Sequence, residues 1–507
     1  MNNQSPYCLV ENNASPIELS SIPVLEYTQF SESLQLLMAN SHNHIATYYA
    51  FRHENQLFFI CAVLRDSTHD IAILVHLESA SVKELASLTH TIPQIHIFER
   101  EIMENFGITF IGHPWLKPVR YAHDRADRSQ VMDNYPFYRI ESEELHEVGV
   151  GPIHAGIIEP GHFRFICNGE KVLHLEIHLG YQHRGIEQLF LDYKKPLQRI
   201  ALSESIAGDT TIGHGLAHTQ LIESLAHIEV CERLQIERAI ALELERVAVH
   251  IGDTAAMCTD VAYQLGQVVN EALRTTIINT TQLWCGNRFG KGLIRPAGTN
   301  YPATPDFFEA MLRTLNDSGK RYINIADRIY SLPSVLIRFD GNGIVTEEQA
   351  QTIGTVGMAA RMCGISRDIR TSHPFQAFKH HHYSPVLRTS GDVLARGMIR
   401  NIEVRHSIKT IKELVEMHKN SSSKVTVPNY KFTLKPNSFA ISLTEGWRGE
   451  ICHTAITDAK GELAHYKIKD PSMHNWMALA LAVRSMEISD FPINNKSFDL
   501  SYCGFDL

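Results

Sequence analysis

The residues best equipped for chemistry sit in four short stretches. "HRGIE" supplies His183, Arg184 and Glu187, and "ESIAGDTTIGHGLAH" supplies Asp209, Thr210, His214 and His218. "RDIRTSHP" adds Arg367, Asp368, Arg370 and His373, and the tail "SYCGFDL" adds Cys503 and Asp506. Carboxylates, imidazoles and guanidinium groups in this mixture suit a protonatable network with shifted pKa values, able to relay protons. Asp209, His214, Glu187, Arg370 and Asp368 are its candidate members. The same side chains would serve equally as ion pairs and caps that hold a cavity shut, because buried charges need partners whether or not they react.

Metal chemistry finds less support. His214 and His218 form an HxxxH spacing that places both imidazoles on one helical face, which suits zinc. Neither Glu223 nor His227 falls cleanly on that face as a third ligand. "KHHHY" at 379–383 reads as a polar loop. "GNRFGKGLIRPAG" lacks the GxxxxGK[ST] phosphate loop and reads as a tight connection. Nine cysteines are dispersed with no CxxC pair, so neither a zinc ribbon nor an iron–sulfur cluster is expected in this chain. Such a scattered set suggests reduced thiols and a cytoplasmic setting.

These residues must be positioned by a chain of 507 residues, long enough for several domains. Its net charge of −9, without basic runs, argues against nucleic acid as a partner. The amino terminus lacks the pattern of a secretory signal, and the apolar run "MALALAV" is far shorter than the roughly 18 residues of a membrane span. Residues 1–117 read as a small α/β domain. A helix over "FSESLQLLMAN" has Ser31 as its N-cap, and three strands follow at "HIATYYAF", "LFFICAVL" and "IAILVHL". "SVKELASL" then predicts a helix, "QIHIF" a strand, and "EREIMENFG" a helix stopped by Gly107. Polar residues 118–148 form the linker candidate. Residues 149–507 begin with glycine-punctuated strands, become mainly helical, and end with strands at "NSFAISLTEGWRGEICHTAITDAKGELAHYKIKD". In "LQIERAIALELERVAVHIGD", Ile236, Ile240, Leu244, Val247 and Ile251 share one face; burying them contributes about 8–15 kcal/mol before entropy. The fold class expected is α+β: an α/β domain, then a helical bundle with flanking β structure.

Several segments together resemble a known family. "FEREIMENFGITFIGHPWLKP" is similar to the signature of the 30 kDa subunit of respiratory complex I. "GYQHRGIEQLF", "ELERVAVHIGD", "ISRDIRTSHPF", "SGDVLARGMIRNIE" and "EGWRGEICH" resemble the complex I 49 kDa subunit. They are closer still to the large subunit of the group 4 membrane-bound nickel–iron hydrogenases, of the formate hydrogenlyase and hydrogenase-4 type, where both parts are fused in this order. In those hydrogenases two CxxC pairs hold nickel and iron. The resemblance registers Ala207 and Thr210 with the first pair and Ser501 and Gly504 with the second, with Cys503 displaced by one. No metal is therefore expected at this site, since soft thiolates are what grip such ions. In complex I the same cavity takes a quinone headgroup. The loop "GPIHAGIIEPGH" offers His154 and His162 for that purpose, while Gly208 stands at the expected tyrosine. The resemblance implies no cofactor bound by this chain except a candidate quinone, and an iron–sulfur cluster in a small partner subunit. It further implies membrane antiporter-like subunits beneath, and a peripheral position on the cytoplasmic face of the membrane through partners. The function implied is that of a subunit of a proton- or ion-translocating oxidoreductase complex. The alternatives are a non-catalytic pseudo-hydrogenase scaffold and, more weakly, a zinc-dependent enzyme.

Overall fold

A computed structural model describes residues 5–156 and 158–507. The amino-terminal strands are where the runs of β-branched and aromatic residues place them. Asn43–His53, Gln56–Arg65 and Asp70–Ser79 pair antiparallel in sequence, and Cys8–Val10 adds antiparallel to the last of them. One face of this sheet is covered by helix Tyr27–Met38, whose Phe30, Leu34 and Leu37 are buried against it. Helix His96–Phe106 ends at Gly107, whose φ of 69° is the left-handed stop expected from the sequence.

Three local expectations are corrected. Ser31 lies inside helix Tyr27–Met38, whose N-cap is Glu26; the Ser31 hydroxyl accepts from the Gln35 side chain instead. "SVKELASL" forms no helix. Glu84–Ala86 is a short strand pairing parallel with Thr109–Ile111, and within it only Leu85 is buried, too little apolar surface to seat a helix. "QIHIF" is not a strand either. It spans a 3₁₀ turn begun by Pro93 and the first turn of helix His96–Phe106, with Ile95, Phe98 and Ile102 buried at helical spacing.

Residues 118–145 run as mostly irregular chain held at its start. The Glu104 carboxylate accepts from the backbone of Val119, Arg120 and Tyr121, and Arg120 donates to the carbonyl of Phe505 at 2.7 Å. Strands His146–Val150, His162–Asn168 and Lys171–His178 then form an antiparallel sheet. The helical part is built around Glu232–Asp260, covered chiefly by Gln264–Cys285 and Val393–Asn420, with Pro305–Ile329 packed on both of those. Caps at Thr304 and Asp392 accept from Phe307 and Ala395 and fix two of these starts. The last sheet orders Ser438–Glu445, Glu450–Thr457 and Leu463–Lys469 antiparallel, and Ile17–Glu18 from the amino terminus extends its edge. That added strand, the Thr454–Tyr49 hydrogen bond and a shared apolar core join both halves of the chain. No helix among the described residues is long and apolar enough to cross a membrane.

Candidate functional site

The hairpin Glu445–Glu450 organises the buried polar groups, because its residues reach two clusters and the strand that follows it carries a member of a third. At its first residue lies a closed ion cluster. Asp368 accepts from Arg370 Nε and Nη2 at 2.9 and 2.7 Å, and Arg370 Nη1 donates to Glu243 at 3.0 Å. Arg361 reaches Glu403 and Glu445, both at 2.8 Å, and Arg246 pairs with Glu243. Three guanidinium groups thus face four carboxyls. Burial raises all four; the arginines hold Asp368, Glu243 and Glu403 below their ordinary values. Glu445 is the surplus acid, pushed by burial and by Asp368 up to about 7. His250, donating from Nε2 to the Glu403 carboxylate at 2.7 Å, is lowered by burial to about 4.

At the hairpin tip, Arg448 clamps Asp209 with Nη1 and Nη2 at 2.8 and 2.7 Å, while Trp447 donates to the Asp209 carbonyl. Arg448 also reaches Thr210 Oγ1 at 3.3 Å and the carbonyl of Asp499. Arg184 makes a second tie, donating to the carbonyls of Ser205, Ile206 and Cys503. These two arginines bring the turn carrying Ala207 and Thr210 against the tail carrying Ser501 and Gly504. Beside them Glu245 accepts from Ile212 and Gly213 N–H at the start of helix Thr211–Leu225, and burial raises it to about 8.

Beyond the hairpin runs an unbroken chain of hydrogen bonds. His214 Nε2 meets Asp470 Oδ2 at 3.0 Å, and His214 Nδ1 meets His453 Nε2 at 3.1 Å. His453 Nδ1 meets the Tyr466 hydroxyl at 2.8 Å, which meets His218 Nδ1 at 2.8 Å. Every member is buried. Burial lowers His218 to about 3 and His453 well below its ordinary value. Against the upward push of burial, the His214 hydrogen bond and the Arg448 charge hold Asp470 low.

The remaining expected residues fall elsewhere. Glu187 accepts from Lys467 and from the backbone of Ile468, and Lys467 also meets Glu101 at 2.6 Å. His183 bonds the Asp506 carbonyl, and the Asp506 carboxyl, raised by burial to about 6, accepts from Gly180 and Gln182 N–H. Arg367 donates to the Thr355 carbonyl and His373 meets the Asp70 carbonyl. His154 and His162 bond the carbonyls of Gly161 and Gly151, so both tie the neck of their own loop, and that neck packs on Tyr502 of the tail. His381 of the histidine run meets Glu413. The candidate network is therefore divided: His214 lies in the hydrogen-bond chain, Asp209 at the clamp, Asp368 and Arg370 in the ion cluster, and Glu187 with Lys467.

The shared helical face of His214 and His218 does not bring the two rings to one point, because they engage Asp470 and Tyr466 respectively. Among the described residues no group of three or more His, Cys, Asp or Glu side chains is placed to hold a metal ion. Arg448, His453, Glu243, Glu245, Asp470 and Tyr466 were absent from the sequence-derived candidates. Four of them do lie within the motifs "EGWRGEICH" and "ELERVAVHIGD", where charge interrupts an otherwise apolar pattern.

On the register that the resemblance gives, a nickel–iron centre would need donors at 207, 210, 501 and 504. The side chains present are a methyl, two hydroxyls and a hydrogen. The hydroxyls are engaged: Thr210 donates to Asp209 at 3.0 Å, and Ser501 accepts from the Gly504 N–H at 2.9 Å. A Cβ at Gly504 would lie 2.6 Å from Asp470 Oδ2. The residues present do not fit a four-thiolate centre.

Models for two complex I subunit families match this one chain, in the order expected. The model for the 30 kDa subunit of respiratory-chain NADH dehydrogenase matches residues 24–128, and that for the 49 kDa subunit matches residues 266–440. The chain is related to complex I subunits and to the large subunits of group 4 hydrogenases. It is 24% identical over 512 residues to hydrogenase-4 component G of Escherichia coli (strain K12), covering 96% of this chain and 86% of that protein. To formate hydrogenlyase subunit 5 of the same organism it is 24% identical, covering 96% and 87%. To an NADH-quinone oxidoreductase subunit of Phocaeicola vulgatus it is 24% identical, covering 80% and 83%.

Proposed function

We propose that this chain is a subunit of a membrane-associated, proton- or ion-translocating oxidoreductase complex, and that it handles protons where its hydrogenase relatives would hold nickel and iron. One observation carries the reading: Asp470 fills the space beside Gly504 and terminates the chain of His214, His453, Tyr466 and His218. In the resting arrangement His218 donates to Tyr466, Tyr466 to His453, His453 to His214, and His214 to Asp470. A proton arriving at His218 Nε2 shifts each of the first three bonds by one hop. It is then held as a His214 imidazolium against the Asp470 carboxylate, with no atom displaced by more than a bond length. The relatives support a setting among partners, which we take to be a small iron–sulfur subunit and antiporter-like subunits on the inner face of a membrane. In that assembly the loop of His154 and His162 is where a quinone headgroup would bind.

The test uses the intact complex from its native host. Metal analysis should find no stoichiometric nickel, and hydrogen oxidation should be absent. A Tyr466→Phe variant should assemble, keep its redox centres and lose proton-coupled turnover. One tightly held nickel per chain, or unchanged coupling in Tyr466→Phe, would overturn the proposal.

A further inference from the structure

The hydrogen-bond chain ends at His218, and His218 opens on a cleft of about 180 Å³ between residues 194–222 and the segments 430–434 and 460–462. Deep in this cleft lies Arg199. It is only 7% exposed, and its one hydrogen bond is from Nε to the Phe190 carbonyl at 2.8 Å. Among the described residues no carboxylate lies within 4 Å of its guanidinium, and Nη2 has no protein partner. The arginines of the ion cluster are matched by acids, and buried Arg396 donates to four oxygen acceptors; Arg199 has neither kind of company. Thr219, fully buried in the same wall, also leaves its hydroxyl without a protein partner. A buried guanidinium and a buried hydroxyl without partners are expensive, and an anion accepting from both would satisfy them together.

We infer that this cleft is a binding site for a small carboxylate with an apolar body. The charge argues for a carboxylate: one buried guanidinium matches one negative charge, and burial keeps His218 neutral. The walls argue for the apolar body, since Ile200, Ile222, Phe432 and Leu434 line the space around the charge. Lys194 and Lys460 stand exposed at the rim and favour entry of an anion. Glu462 also lines the rim and is the acid that would compete for Arg199. A carboxylate seated on Arg199 would lie at the mouth of the hydrogen-bond chain, but its binding does not depend on the chain's carrying protons.

Benzoate is the probe, titrated into the full chain by calorimetry, with acetate and inorganic phosphate for comparison. One benzoate per chain should bind, more tightly than either of the others. Arg199→Lys, which loses the planar fork, should weaken benzoate by about tenfold or more. Thr219→Val should also weaken it while raising the melting temperature, because an unpartnered buried hydroxyl is removed. That opposite movement separates ligand loss from misfolding. Glu462→Gln should tighten binding. No benzoate heat at millimolar concentration, unchanged affinity in Thr219→Val, or phosphate bound more tightly than benzoate would overturn the assignment.

Discussion

Glu243 and Glu245 lie two residues apart on one helix, the first fully buried and the second half-buried, and the structure leaves one ionised and the other protonated. Glu243 meets Arg246 and Arg370 and stays ionised. Glu245 has only two backbone N–H donors, no guanidinium, and is raised by burial to about 8. The contrast extends to the regions they face. On the Glu243 side, three arginines fix three of the four acids as carboxylates, and only the surplus Glu445 is left to take a proton. On the other side of the hairpin, imidazoles and a phenol are linked by hydrogen bonds to one another, and charge has room to move. Buried polarity alone therefore says little about function; the balance of charges within each cluster decides it.

The sharpest way to break the comparison is to unbalance the closed cluster. Arg370→Met removes a guanidinium that meets Asp368 and Glu243, leaving both acids buried without it. Removing one partner of a buried pair costs about 3–5 kcal/mol. Urea unfolding should show that loss, and a change below about 1 kcal/mol would mean that the cluster contributes little. Next in size is Gly504→Ala. Its new Cβ would collide with Asp470 Oδ2, so the carboxylate must leave His214 or the tail must shift. A loss of about 1–3 kcal/mol is expected, together with a displaced His214 imidazole resonance in NMR. A silent substitution would show that Asp470 is not pinned there.

The two regions were not equally legible. The strands at 43–79, the stop at Gly107 and the buried helix around Ile236 to Ile251 followed from local period and turn chemistry. "QIHIF" misled because a short apolar run fits either period until its neighbours are known, and here Pro93 opens a helix start. The site was harder for a different reason. The spacing of His214 and His218 is local, but their partners Asp470, His453 and Tyr466 come from 239 to 256 residues away. In the long helix the apolar stripe revealed the core, while Glu243, Arg246, His250 and Asp253 on another side are buried too. Arg361, Arg370, Arg400 and Glu403, brought in by later segments, help make that possible.

The difference between the two glutamates predicts a pH dependence. A carboxyl raised to about 8 in the folded chain keeps its proton where the unfolded chain has lost its own. Between about pH 5 and 8 the native state then binds more protons, so stability falls as pH rises through that window. The slope from this group is about 1.4 kcal/mol per pH unit. Glu245→Gln has no proton to release and should flatten the loss of stability between pH 6 and 8. Equal slopes in the two proteins would place Glu245 among the ionised acids.

The smallest effect on stability is expected at the clamp, where Asp209 faces Arg448. The Asp209 side chain is 38% exposed, so solvent screens the pair. Asp209→Asn keeps an acceptor for Arg448 and should shift unfolding by less than about 1 kcal/mol. The same substitution removes the negative charge that helps burial raise Glu245. Glu245 should then titrate at lower pH, and the pH–stability slope above pH 7 should weaken without Glu245 being touched. That indirect response distinguishes two coupled acids at an open rim from two independent ones. If Asp209→Asn leaves the slope intact, the rim behaves like the closed cluster, and the contrast drawn between the two regions fails at its nearest point.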